Sequence, residues 1–120
     1  MFGSCTVSEF HLNLVPMDSD VMSMELHYAY REVQLLGDRS PLFHAARAIM
    51  QMQVIFGLVP RICGKGEAAQ RVADMLLKMR REQDDHMLVN PEIESVILID
   101  RQVDLITPLC SQVNKKKKKK

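Results

Sequence analysis

The 120-residue chain carries 16 Lys+Arg against 15 Asp+Glu, with 47% hydrophobic and 26% charged residues. That is the composition of an ordinary globular chain holding one domain, or one domain and a piece of another. Six of the basic residues are the terminal run Lys115–Lys120; setting them aside leaves 10 basic against 15 acidic residues, a net charge of −5 in place of +1. A mildly acidic body offers no basic face to nucleic acid.

The start, Met1-Phe2-Gly3-Ser4, has no basic region leading into an apolar stretch, so no secretion signal is read there. No segment approaches the ~20 apolar residues of a membrane span, and any membrane association is expected to run through partners. Phe10, Leu12 and Leu14 alternate with His11, Asn13 and Val15 up to Pro16, which predicts a short half-buried strand. Little sequence precedes this strand, so its sheet partners are expected outside the chain. His11 lies on the non-leucine face and reads as a solvent-facing strand residue, since no second residue has ligand spacing. Met17-Asp18-Ser19-Asp20 is a turn. Ser23 then reads as a helix start, and Leu26, Tyr30 and Val33 have helical spacing up to the Gly37-Asp38 turn. Residues 17–38 are expected to be a hinge or linker containing a short helix.

Ser40-Pro41 predicts a helix with serine as N-cap and proline at the first position. Its body, Leu42 to Phe56, carries Phe43, Ala46, Ile49 or Met50, Gln53 and Val54 at helical spacing. It is apolar over most of its girth and is expected to be largely buried, with Arg47, Gln51 and Gln53 as polar points and Gly57 as the stop. His44, in the first turn, reads as a neutral packed or exposed histidine. An extended run, Leu58 to Cys63, leads through Gly64-Lys65-Gly66 into a second helix from Glu67 to about Gln83. Ala69, Val72, Ala73, Leu76 and Met79 form its apolar face, with Met75 and Leu77 at or near the core. Glu67–Arg71 and Asp74–Lys78 are acid-first i,i+4 pairs, and Arg80 and Arg81 suit the negative helix end. Gln83-Asp84-Asp85-His86 is a polar loop; adjacent loop residues point in different directions, so no metal site is read from Asp84, Asp85 and His86.

Val96-Ile97-Leu98-Ile99 then runs unbroken into Asp100-Arg101. Three of the four are β-branched, which predicts a strand buried on both faces of a parallel sheet and covered by helices on both sides. Asp104 can cap the turn that follows, and Thr107-Pro108 reads as an N-cap followed by proline. Cys5, Cys63 and Cys110 are far apart and odd in number, without a CxxC; reduced thiols in a cytosolic protein are the simple reading. The lysine run is expected to be translated poly-A at a truncated message rather than an electrostatic tail.

Two sharper chemistries are available, and the residues disfavour both. A phosphate loop at Gly64-Lys65-Gly66 would need a glycine five residues upstream and a Ser or Thr after the lysine; Gly57 is seven upstream, and Glu67 would repel phosphate. Phosphoryl transfer on Asp100 would call for a second acid two residues later, whereas Asp104 follows at four, with Arg101 beside the first acid. Structural capping by the two acids is the better reading, with Arg101 pairing with a carboxylate or stacking under the strand end.

Several segments together carry a resemblance. They are Leu14-Val15-Pro16-Met17-Asp18-Ser19-Asp20-Val21-Met22-Ser23-Met24-Glu25-Leu26, Gly37-Asp38, Phe56-Gly57 with Pro60, Gly64-Lys65-Gly66-Glu67, and above all Leu98-Ile99-Asp100-Arg101-Gln102-Val103-Asp104-Leu105-Ile106-Thr107-Pro108-Leu109. These resemble the SM family of SNARE-fusion regulators, in its vacuolar protein sorting-associated protein 33 branch. Ser23 to Leu26 and Leu109 to Val113 lean toward the B type, Gly64 to Glu67 toward the A type, and both stay open. The resemblance spans about residues 9–113, and its Asp-Arg-x-x-Asp-x-x-Thr-Pro-Leu portion is the specific part.

It implies an α/β chain that is a fragment of a parallel sheet flanked by helices. Residues 1–16 would be the last strand of an incomplete first domain, 17–38 the hinge, 39–113 the first segment of a second α/β domain, and 114–120 the lysine tail. It further implies a non-enzymatic regulator of SNARE-mediated vesicle docking and membrane fusion in endosomal and lysosomal (vacuolar) transport. No cofactor or metal is implied. The partners would be SNARE proteins and tethering-complex subunits, and the location cytoplasmic and peripheral on late endosome and lysosome membranes. Asp100, Arg101, Asp104, Thr107, Pro108 and Leu109 would form a structural motif. The alternative is a small nucleotide- or phosphate-binding enzyme using the Gly64-Lys65-Gly66 turn.

Overall fold

A computed structural model describes residues 3–8, 13–82 and 90–110. Strands β1 (Val15–Pro16) and β2 (Met22–Ser23) pair antiparallel, Val15 opposite Ser23. The turn between them closes as Ser19 N donates to Asp18 Oδ1 at 2.7 Å, and Met17 N to Val21 O at 2.8 Å. The pairing partner of Val15 therefore lies within the chain, eight residues on, and not outside it as expected: the Asp18-Ser19-Asp20 turn reverses the backbone. Phe10, His11 and Leu12 of the expected strand lie outside the described residues. Ser23 belongs to β2 and is no helix start; its Oγ accepts from Glu25 N at 3.1 Å.

Helix α1 (Ala29–Arg31) runs into a π-helical turn, Glu32–Leu36. Gly37, at φ +68°, ends it in the left-handed region, and Asp38 N donates to Glu32 O at 2.9 Å. Helix α2 (Ser40–Phe56) starts one residue earlier than the sequence suggested. Ser40 is its first residue and not its cap; Asp38 Oδ1 accepts from Ser40 N at 2.9 Å and from Ser40 Oγ at 2.7 Å. The buried stripe is Leu42, Ala46, Met50 and Gln53, at helical spacing. Phe43, Val54 and Ile55 point to solvent, so α2 is half-buried rather than buried around its girth. Gly57 ends it as expected.

Next comes a β-α-β unit. Strand β3 (Arg61–Lys65) starts three residues later and ends two residues later than the extended run read from sequence, since Gly64 and Lys65 belong to it. Helix α3 (Glu67–Glu82) follows, then β4 (Ser95–Ile99), which pairs parallel to β3 with Ile62 opposite Val96 and Gly64 opposite Leu98. Gly64 sits under α3, where an added Cβ would meet the Ala69 backbone at 3.5 Å, ordinary contact. Ala69, Val72 and Leu76 are buried on α3; Leu77, one position off that stripe, is exposed. Glu67 accepts from Arg71 Nε at 3.2 Å, while Asp74–Lys78 is not among the ion pairs of the described residues.

The core is Leu42, Ala46, Met50, Val72 and Leu76, with Ile62 and Leu98 packed against it. Burying each of the larger side chains contributes about 1.5–3 kcal/mol. The fold is α/β, a parallel pair of strands flanked by helices. One expectation fails: β4 is not covered on both faces. Val96 and Leu98 are half-buried, but Ile97 and Ile99 are 69% and 70% exposed. α2 packs on α3, and α3 on both strands, so the two helices stack on one side of the sheet.

Candidate functional site

The described residues converge where β4 ends. Asp100 continues the ladder by one rung, its N donating to Lys65 O at 2.9 Å, and its backbone then leaves the sheet at φ −70°, ψ 135°. Asp100 is only 7% exposed. Its Oδ2 accepts from Ala68 N at 3.0 Å, in the first turn of α3, and its Oδ1 accepts from Gln102 N at 3.0 Å, in the 3-10 turn Arg101–Val103. One side chain thus caps two helical starts, and it stands at the positive end of the α3 dipole.

Gly66 is dictated by the same contact. It has φ +100°, and a Cβ there would lie 2.3 Å from Asp100 Cβ. Both the backbone conformation and the crowding require glycine. This geometry answers the phosphate-loop reading. The α3 terminus already holds a carboxylate, Lys65 points from an exposed strand position, and Glu67 is engaged with Arg71.

Asp104 serves a different turn. Its Oδ1 accepts from Ile106 N at 3.0 Å and Thr107 N at 2.9 Å. The Thr107 hydroxyl first, then these two amides and the charge of Arg101, hold its carboxyl below the ordinary aspartate value. Thr107 opens the 3-10 turn Thr107–Leu109 and does not cap it; that task falls to Asp104, with Pro108 inside the turn. Arg101 is exposed and joins no ion pair of the described residues, so the expected partner carboxylate acts on it only at longer range. Leu105, Ile106 and Leu109 face outward. The structure therefore brings Asp100 to Gly66 and Ala68, and keeps Asp104, Thr107, Pro108 and Leu109 as a separate local turn.

Sequence reasoning missed two groups. Gln102 Nε2 donates to Gln34 Oε1 at 2.6 Å, tying the strand-end turn to the π-helical turn. At the other end of α3, Gln53 is buried, and its Oε1 accepts from Val59 N at 3.3 Å and from Arg80 Nη2. Arg80 Nη2 also donates to Val59 O at 2.7 Å, and burial lowers the pKa of the guanidinium. A glutamine on an apolar helix and an arginine in a last turn carry no signal of this in their spacing. The loop with Asp84, Asp85 and His86 lies outside the described residues. Among those described, no group of three or more His, Cys, Asp or Glu could hold a metal ion, and the three cysteines are free and exposed.

A family model described as "Sec1 family" matches residues 3–114, a span that includes the strand-end motif and its glycine partner. The chain belongs to the Sec1 family. The vacuolar protein sorting-associated protein 33A of Rattus norvegicus is 44% identical over 106 residues, covering 88% of this chain and 18% of its own length. The vacuolar protein-sorting-associated protein 33 homolog of Arabidopsis thaliana is 42% identical over 110 residues, 90% of this chain and 19% of its own. The vacuolar protein sorting-associated protein 33B of Mus musculus is 34% identical over 114 residues, 94% and 18%. This Sec1-family chain thus spans about a fifth of the length of the curated relatives it matches. The resemblance to the vacuolar protein sorting-associated protein 33 branch is borne out, with higher identity to the rat A-type relative than to the mouse B-type one.

Proposed function

We propose that this chain is part of a regulator of vesicle docking and SNARE-dependent membrane fusion in vacuolar protein sorting, and that it works by binding rather than catalysis. The family match over residues 3–114 carries this reading, with relatives whose names state vacuolar protein sorting. The partners are SNARE proteins and tethering-complex subunits, met by the full-length protein. The location is cytoplasmic, peripheral on late endosome and lysosome membranes; no helix of the described residues is long and apolar enough to cross a membrane. Residues 1–16 close a first α/β domain, 17–38 connect, and 39–113 open a second. The grouping of α2, β3, α3 and β4 around one core supports that division. Asp100, Arg101, Asp104, Thr107, Pro108 and Leu109 are a structural motif: both acids are spent on backbone amides.

Binding of the full-length protein that contains this chain to recombinant SNARE bundles and tethering-complex subunits tests the reading. Saturable capture by a subunit is the expected result, and no capture by any of them counts against it. Titration with ATP and with inorganic phosphate, followed by thermal melting, tests the enzyme alternative. A saturable rise in Tm that Lys65→Ala abolishes would establish nucleotide or phosphate binding, because a ligand of the folded state must stabilise it. No shift is expected.

A further inference from the structure

Strand β4 leaves one edge of its sheet open. Among the described residues that sheet has β3 and β4 alone. Asp100 N donates to Lys65 O, so by the alternation of a parallel ladder Val96 and Leu98 also turn their backbone groups toward β3. Ser95, Ile97 and Ile99 turn theirs away from it. The same three residues put exposed side chains on the face opposite α3.

Natural edge strands are blunted by charge or proline. β3 has that protection in Arg61 and Lys65, both exposed and in no ion pair of the described residues. β4, Ser95-Val96-Ile97-Leu98-Ile99, has neither a charge nor a proline. An uncharged, β-branched strand with outward amides and carbonyls is a template for another strand.

The pattern of β4 is also self-complementary. When two copies lie antiparallel about a two-fold axis at Ile97, Ile97 faces Ile97 and Ser95 faces Ile99. All of these positions point their N–H and C=O outward, so each such pair exchanges both hydrogen bonds. The same arrangement carries Glu94 of one copy to the Asp100-Arg101 end of the other. There the Asp100 carboxylate is already taken by the amides of Ala68 and Gln102, which leaves Arg101 as the charge presented. Glu94 and Arg101 are exposed, and neither joins an ion pair of the described residues. The axis brings them together at both ends of the strand pair, acid to base each time.

We propose that β4 pairs with β4 of a second copy of this chain, joining the two sheets into one, with α2 and α3 of both copies on the same side. Cross-strand isoleucines and the Glu94–Arg101 contacts select the register. A further strand of a longer protein would take the same edge, so the pairing belongs to the 120-residue chain itself.

Sedimentation equilibrium of that chain under reducing conditions tests this. One strand pair buries less than the ~1,200 Å2 of a stable interface, so the mass should rise from one chain toward two between about 10 µM and 1 mM. Arg101→Glu and Glu94→Arg each set like charges against one another at both contacts, and each weakens association about tenfold or more. An equimolar mixture of these two variants regains the strength of the unsubstituted chain, since opposite charges meet again in the mixed dimer. Ile97→Lys, at the axis, abolishes association. All three positions are exposed, and circular dichroism checks that the variants fold. A chain that stays monomeric up to about 1 mM overturns the proposal. So does association that ignores the single charge substitutions, that the mixture fails to restore, or that grows beyond a dimer. A monomer whose Ile97 and Ile99 amides resist hydrogen exchange would show the edge covered from within, which overturns it as well.

Discussion

The two ends of α3 solve one problem in opposite ways. Each end brings buried polar groups together, and each draws partners from a distant part of the chain. At the N-terminal end a short, stiff side chain, Asp100, takes two backbone amides, and Gly66 is crowded against it. At the C-terminal end two long side chains, Gln53 and Arg80, meet over the Val59 backbone. The first device has no slack: a backbone amide cannot turn aside, and a Cβ at Gly66 has nowhere to go. The second has many rotatable bonds and leaves one buried donor, Arg80 Nε, without an acceptor among the described residues. Crowded backbone contacts should therefore be brittle, and side-chain knots forgiving.

Gly66→Ala is the hardest blow to that contrast. It combines a forbidden backbone angle with a Cβ at 2.3 Å from Asp100 Cβ, and a loss of about 3 kcal/mol or more is expected. In a chain of this size that lowers Tm by more than ~10 °C, measured by circular dichroism. A drop of only a few degrees would show that the strand end gives way, and the N-terminal device would not be brittle.

Asp100→Ala comes next. It leaves the amides of Ala68 and Gln102 without their acceptor, at a cost of about 1–3 kcal/mol by denaturant melting. Alanine keeps the Cβ that crowds position 66, so relief needs Asp100→Gly: Gly66→Ala should cost less in the Asp100→Gly background than alone. Strict additivity would disprove the contact.

At the far end, Gln53→Ala and Arg80→Ala form the matching cycle. Each single change costs about 1–2 kcal/mol, and a coupling near 1 kcal/mol is expected if the knot is real. A coupling as large as that of the Gly66–Asp100 pair would erase the difference between the two ends.

The smallest effect is that of pH. Asp38 is held below the ordinary aspartate value by the Ser40 amide and hydroxyl, and Asp104 by the Thr107 hydroxyl and amide and the Ile106 amide. A depressed folded pKa means stability fully present above the unfolded value and lost as pH falls through the folded one. Tm should thus sag only on the acid side of about pH 4, near the reference carboxylate range. Asp38→Asn and Asp104→Asn should each flatten the sag slightly. Both groups are exposed, and an unchanged acid limb in both variants would remove their share.

The N-terminal device was partly legible in the sequence. Val96 to Ile99 announced a strand by their β-branched run, Gly57 announced a helix stop, and the two acids at Asp100 and Asp104 announced turn caps. What spacing could not say was which amide Asp100 would reach, because that requires the parallel register that sets Lys65 beside Ile99. The same gap misplaced β3: Gly64 and Lys65 look like a turn until α3 is seen passing close over Gly64. Ser40 before Pro41 has the pattern of a cap, but the carboxylate of Asp38, two residues before it, takes the Ser40 amide and hydroxyl instead. The knot at Gln53 and Arg80 was illegible altogether. A glutamine among apolar neighbours reads as a surface point, and only the fold shows it fully enclosed. The burial of β4 on both faces was over-read, since a hydrophobic run reports a face's affinity for cover and not the presence of that cover.

The distance along the chain between Asp100 and the amide it caps also sets a clock. The carboxylate lies 32 residues downstream of Ala68. At about 5–20 residues per second of synthesis, that separation takes ~2–6 s to emerge. For that interval α3 exists, if at all, with its first turn open and Gly66 free of its crowding neighbour. The helix that packs on both strands is therefore completed only after β4 has arrived, and every newly made copy passes through a window in which the first turn of α3 is still uncapped.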